Sequence, residues 1–268
     1  MAGALTAQHW FIPISARPTS RMPFLLRTAA LALIAAAAAS APARAQDESP
    51  CVRTDTLPAR VAGDTVIGES YEDLRRGAVF RCTLRRGAPP IRVVVRADQH
   101  GVPVRAEVFD PAAAARPRQV LALPVNEPPR RYSEFLGAVD LNADGWMDLM
   151  LMSWWGATGN TGYEVFIYDP AARRFTRSQV LSAQSNPEPI GGRPCVRTHS
   201  VGGMAGMIRD EDEFCWRGRA WVHVRSESQV WDRERSTDSI YVFRRTIRER
   251  RNGRLRTVRV QTVREPMR

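Results

Sequence analysis

The chain contains no lysine, and each of its 39 basic residues is an arginine. That uniformity reads as coding bias, so a pI near 10.7 is weak grounds for nucleic-acid binding, and none is expected. Histidine is nearly as scarce: only His100, His199 and His223 follow the first residues. There is no GxSxG turn, no HExxH pair and no glycine-rich phosphate loop ahead of a helix, so the common nucleophile, metalloprotease and nucleotide signatures are missing. No catalytic residues, and no enzyme, are expected. Long apolar runs are missing too. The candidate run 28–39 follows Arg27 and is too short to span a bilayer comfortably. With the small-x-small triplet Ala43, Arg44, Ala45 it reads as an export signal over residues 1–45, Met22 being an alternative start. The chain is expected to be periplasmic or secreted, and not membrane-spanning after cleavage.

What is present is unevenly placed. Residues 244–268 hold ten arginines against Glu249 and Glu265, a net of +8, which leaves residues 46–243 at −1. The basic character therefore belongs to the C-terminal segment. Its guanidinium groups could engage an anionic envelope polymer, while the bland alternative is a solvated, edge-protecting hairpin. The four cysteines, Cys51, Cys82, Cys195 and Cys215, all follow the expected cleavage point. An even number in an exported chain reads as disulfides with three possible connectivities. Local pairing, Cys51 with Cys82 and Cys195 with Cys215, is favoured among them. No CxxC spacing supports zinc.

The strongest chemical signal is the stretch 140–148. Asp140, Asn142, Asp144 and Asp148 occupy positions 1, 3, 5 and 9, with Gly145 at position 6. Ca²⁺ needs roughly six to eight converging oxygens, and this alternation supplies three carboxylates and an amide. Gly145 allows the sharp turn, and the Trp146 carbonyl at position 7 adds an oxygen. An EF-hand is not expected, because the flanks lack helical period and position 12 is Leu151 rather than Glu.

Elsewhere the chain reads as short strands between turns, giving an all-β fold of antiparallel sheets, sandwich or propeller-like. Strands are expected over 78–85, 91–97, 102–109, 119–123, 135–139, 149–154, 163–168, 174–180 and 221–229. The segments 240–250 and 254–263 flank Asn252 and Gly253, a pair suited to a type I′ hairpin turn. Residues 46–239 are taken as a calcium-loop β domain, with the arginine-rich hairpin 240–268 part of it. The acidic run Asp210, Glu211, Asp212, Glu213 is expected to be a solvated loop, and His223 a surface residue.

The run from Phe135 through Asp140, Asp148 and Leu151 resembles the FG-GAP or VCBS type of calcium loop. The longer order of Asn160, Tyr163, Val165, Phe175, Asn186, Cys195, Phe214, Trp216 and Gly218 is similar to a family of xanthomonad-type periplasmic β proteins. That family includes a lysozyme inhibitor acting as an immunity protein against effectors of type IV secretion. The resemblance implies structural calcium on Asp140, Asn142, Asp144, Trp146 and Asp148, and inhibition of a lysozyme-like cell-wall hydrolase. Such inhibition needs a protruding loop. The glycine-rich segment 156–163, with Asn160, Thr161, Gly162 and Tyr163, is the candidate. A non-inhibitory envelope module, binding glycan, lipopolysaccharide or an assembly partner, is the other reading.

Overall fold

Short alternating apolar runs can only bury one face each, and the chain solves this by stacking three antiparallel sheets. The structure, a computed structural model, describes residues 50–55, 60–62, 65–67, 76–110, 115–125, 129, 135–203 and 206–266. The expected export segment 1–45 lies outside them. Five strands, β1 (Cys51–Arg53), β4 (Ala78–Cys82), β5 (Ile91–Ala97), β6 (Pro103–Phe109) and β7 (Gln119–Ala122), form the first sheet in that order. A separate ribbon pairs β2 (Arg60–Ala62) with β3 (Thr65–Ile67). The second sheet is a four-stranded meander of β8 (Leu136–Val139), β9 (Asp148–Trp155), β10 (Thr161–Asp169) and β11 (Arg174–Arg177). The third runs β12 (Glu188–Pro189), β13 (Cys195–Gly202), β14 (Ile208–Arg217), β15 (Ala220–Trp231), β16 (Ile240–Arg251) and β17 (Arg254–Pro266). Among the described residues no sheet closes into a barrel.

The meander is the middle layer. Leu149 and Leu151 of β9, with Phe166 and Tyr168 of β10, pack on Phe80, Val93 and Val108 of the first sheet. The alternate residues Met150, Val165 and Ile167 pack with Leu181, Val196, Phe214 and Trp221 on the opposite side. Burial on both faces explains why β9 and β10 read as nearly continuous apolar runs rather than clean alternation. Each fully buried large side chain contributes about 1.5 to 3 kcal/mol.

Both disulfides follow the local pairing. Cys51 opposes Cys82 across β1 and β4, and Cys195 opposes Cys215 across β13 and β14. Three expectations differ from the structure. The strand expected over 174–180 stops at Arg177, where Ser178 caps a helical turn, α1 (Gln179–Ser182), by accepting from Leu181 N–H at 3.3 Å. That turn drives Leu181 into the core. The acidic run 210–213 lies within β14 and is half-buried. Three of its acids have polar partners: Glu213 pairs with Arg193 at 2.7 Å, Glu211 with Arg197 at 3.2 Å, and Asp212 hydrogen-bonds His223 Nε2 at 2.9 Å. His223 accordingly is half-buried and stacks on Phe214, ring centres 4.5 Å apart. The arginine-rich hairpin forms around Asn252 (φ 50°) and Gly253 (φ 81°), and β16 pairs along β15 as a continuation of the third sheet.

Candidate metal loop and binding hairpin

The loop 140–148 joins the first two strands of the meander, and its two ends meet where Val139 faces Asp148. Backbone amides turn inward onto the acidic side chains. Asp140 accepts from Asp144 N–H at 3.1 Å and Gly145 N–H at 2.8 Å, Asn142 Oδ1 from Asp144 N–H at 3.1 Å, and Asp144 from Trp146 N–H at 2.8 Å. The curl needs left-handed backbone at Ala143 (φ 58°) and Gly145 (φ 84°). Glycine takes this without strain, whereas alanine costs about 1 kcal/mol or more.

Asp148 is fully buried. Its carboxylate accepts from Tyr168 N–H of β10 at 2.8 Å and from Leu141 N–H at 3.0 Å, so one side chain ties the loop's start to the next strand. This carboxyl is pushed up to about 7: burial is the largest cause, the two backbone amides pull against it, and the charges of Asp144 and Asp140 add to the rise. The loop is also stitched to its neighbours. Leu141 is buried in the second core, Met147 N–H donates to the Leu84 carbonyl at 2.7 Å, and Trp146 lies between Tyr168 (5.5 Å) and the Arg85 guanidinium (5.2 Å).

The donor set is all oxygen, and its one buried carboxylate is repelled by two neighbouring acids. A hard cation would offset both terms, so the residues fit Ca²⁺ by chemistry. The carboxylates are spread more widely than a closed shell. Among the described residues, the trio of His, Cys, Asp or Glu ligand atoms within 4.8 Å of one another is Cys195, Glu213 and Cys215. The two sulfurs in that trio are joined in a disulfide, so it is no metal site.

The segment 156–163 is a short turn that runs into β10 at Thr161. The connection between β9 and β10 is a tight turn, with Gly156 N–H donating to the Asn160 carbonyl at 2.8 Å. Asn160 is stapled to β13 by reciprocal bonds, its Nδ2 to the Val201 carbonyl and its Oδ1 from Val201 N–H, both 2.8 Å. Thr161 is held likewise: its N–H donates to Asn186 Oδ1 at 3.0 Å and its carbonyl accepts from Asn186 N–H at 2.8 Å. Gly162 lies beneath the Trp154 indole, where a Cβ would overlap the ring. Tyr163 is half-buried in the second core, and burial, with Glu188 adding, raises its phenol. The expected adaptable loop is thus a rigid hairpin.

What projects from it is aromatic. Trp154 and Trp155 are 42% and 38% exposed at the end of β9. Sequence reading missed them because they continue a strand whose other residues are core. A sharper signal was available: two large rings in succession on one strand cannot both face the same core.

No family model matches the chain, and no curated protein matches it. Among solved structures it is similar to one described as a Xanthomonas type IV secretion system related protein. That chain is 18% identical, with a TM-score of 0.44 over 69% of this chain and 90% of the other. Roles are therefore assigned from the side chains themselves.

Next to the metal loop lies a groove of 580 Å³, lined by Asn142 and Asp144 from the loop and by Arg177, Gln179, Trp216 and Trp221 among others. Trp216 and Trp221 meet at 5.1 Å, and Trp221 Nε1 is buried without a hydrogen-bond partner. Arg177 is neutralised by buried Glu164, which leaves the groove floor polar and aromatic rather than strongly charged.

Proposed function

We propose that the chain is an exported, calcium-stabilised β protein that binds and inhibits a lysozyme-type cell-wall hydrolase, acting by occupation of the cleft and without catalysis of its own. The observation that supports this reading is the exposed Trp154 and Trp155 pair on a hairpin held by Asn160 and Asn186. Interface hot spots favour tryptophan, and a rigid presenting hairpin lowers the ordering cost on binding. Asp140, Asn142, Asp144 and Asp148, with the Trp146 carbonyl, would hold the ion. When bound, Ca²⁺ supplies charge neutralisation to the clustered acids and fixes the start of β9, whose other end carries the tryptophans. The two disulfides accord with an oxidising compartment such as the periplasm. No helix among the described residues is long and apolar enough to cross a membrane.

The test is a panel of lysozymes acting on cell-wall substrate, with parent protein, Trp154→Ala and Trp155→Ala, in calcium. The parent is expected to reduce hydrolysis, and at least one alanine variant to weaken inhibition by about 2 kcal/mol, roughly thirtyfold. Failure of the parent to inhibit any member of the panel removes the reading. The groove supports a second one, a non-inhibitory envelope module that binds glycan. A sugar ring can stack on half-buried Trp216 while Asn142 and Gln179 supply hydrogen bonds. Calorimetric binding of cell-wall saccharide, lost in Trp216→Ala, by a protein that inhibits nothing would favour this reading.

A further inference from the structure

The outer part of the third sheet covers no core. Beyond Val242 and Phe243, no described residue of β16 or β17 is buried, although these strands are 12 and 13 residues long, about 40 Å. Both faces of the hairpin therefore meet solvent. Its arginines are also sparsely paired. In the first two sheets Arg96 and Arg105 pair with Glu107, Arg118 with Asp110 and Arg177 with Glu164. On the hairpin Arg245 pairs with Glu227 and Arg251 with Glu249. Arg244, Arg248, Arg254, Arg256, Arg259 and Arg264 are exposed and have no acidic partner among the described residues. Exposed arginines without an acidic partner occur in the body too, Arg174, Arg209, Arg217 and Arg233 among them, so what sets the hairpin apart is that register places several of its own on one face.

Register sorts them onto faces. Ile208 opposes Val230, Val230 opposes Arg244, and Arg244 opposes Thr262, so these four share one face. Thr246 opposes Val260 on that same face, and Arg264 opposes Val242. Alternation along β16 adds Arg248. The result is a mixed face: Ile208 and Val230, 37% and 43% exposed, lie side by side, unpaired Arg244 of β16 stands between them and Val260 of β17 (51% exposed), and Arg248 and Arg264 share the face. The other β16–β17 face carries Arg259 opposite Ile247 and Arg256 opposite Glu249.

We propose that this face of the β15–β17 sheet docks on an anionic phospholipid surface. Guanidinium groups engage phosphate oxygens in paired hydrogen bonds, and the small branched side chains between them suit the boundary where headgroups meet acyl chains. A lysozyme partner does not need such a surface, and none of these residues belongs to the Trp154 hairpin, so the inference stands or falls apart from the inhibitor reading. Charge complementarity also disfavours a second copy of the chain, because two such faces would repel.

The experiment is co-sedimentation of the full chain with neutral phosphatidylcholine vesicles and with vesicles containing phosphatidylglycerol. Each is measured from about 0.1 M salt, where the Debye length is about 10 Å, to about 1 M, where it is about 3 Å. The probe pair is Arg244→Gln/Arg248→Gln/Arg264→Gln against a control of equal charge loss on the first sheet and its connections, Arg81→Gln/Arg86→Gln/Arg116→Gln. Binding to the anionic vesicles should exceed that to neutral ones and fall with salt. The hairpin triple should lose about fivefold per arginine, roughly a hundredfold together, while the control keeps most of its affinity. Equal loss in both triples would reduce the effect to net charge and overturn the assignment of the face. Capture by heparin with no preference for anionic vesicles would overturn the lipid surface in favour of a soluble polyanion. A concentration-dependent dimer, abolished in the hairpin triple, would replace the membrane with a second copy.

Discussion

Asp148→Ala separates what the loop's hydrogen bonds do from what a metal adds. The substitution leaves two amides, Leu141 N–H and Tyr168 N–H, without an acceptor. Both residues are at most 5% exposed, so water cannot readily replace the carboxylate. Each buried orphan costs about 1 to 3 kcal/mol, giving about 4 kcal/mol together, or about 8 to 16 °C in melting temperature for a domain of this size. Asp140→Ala makes the contrast, since it also removes two acceptors but at Asp144 and Gly145, which are solvent-exposed. Its cost in chelator should be about 1 kcal/mol. Calcium at about 100 times Kd should raise the parent by about 2.7 kcal/mol, and neither variant should respond to it. Thermal melts by circular dichroism, in calcium and in chelator, read all six states. If Asp148→Ala melts with the parent in chelator, the buried carboxylate is not the tie between loop and β10. If the parent shows no calcium response, the loop is held by its own hydrogen bonds and the metal assignment fails.

Gly162→Ala should push the Trp154 ring off β10 and destabilise the fold by about 1 to 3 kcal/mol, seen as a lower denaturant midpoint; an unchanged midpoint would mean the ring has room to move. Glu107 gives the acid-side prediction. Burial raises its carboxyl, yet hydrogen bonds from Arg105 and Arg96, both at 3.0 Å, hold it below its ordinary 4.5. A depressed carboxylate stabilises the fold above its unfolded value and loses that contribution as pH falls through the folded one. Glu107→Gln should therefore cost about 1 kcal/mol at neutral pH and nothing once both forms are protonated. Urea midpoints from pH 7 downward that never converge would contradict this.

Legibility in the sequence followed the range of the interactions. The loop 140–148 was readable because its oxygens, its glycine and its flanking strands are contiguous, and local spacing alone decides whether they can curl around one point. The Asn252–Gly253 turn and the two cross-strand disulfides are legible for the same reason, each joining neighbouring strands of one sheet. The helical turn after Ser178 was not, because Leu181 is drawn down by a core assembled from β10, β13 and β15. Nor could spacing show that 210–213 would be a strand, since Glu211, Asp212 and Glu213 find Arg197, His223 and Arg193, which come from β13, β15 and the turn before β13.

The sequence by itself determined an all-β chain, a tight acidic loop over 140–148 and a basic C-terminal hairpin, since periodicity, turn residues and charge order are properties of adjacent positions. Only the tertiary structure decided that the meander is sandwiched on both faces, that Trp154 and Trp155 are exposed while Tyr163 is packed inward, and which arginines of the hairpin lie beside an acid. Those outcomes depend on which strand lies beside which. Exposure and ion pairing are set by neighbours distant in the chain, and no local pattern records them.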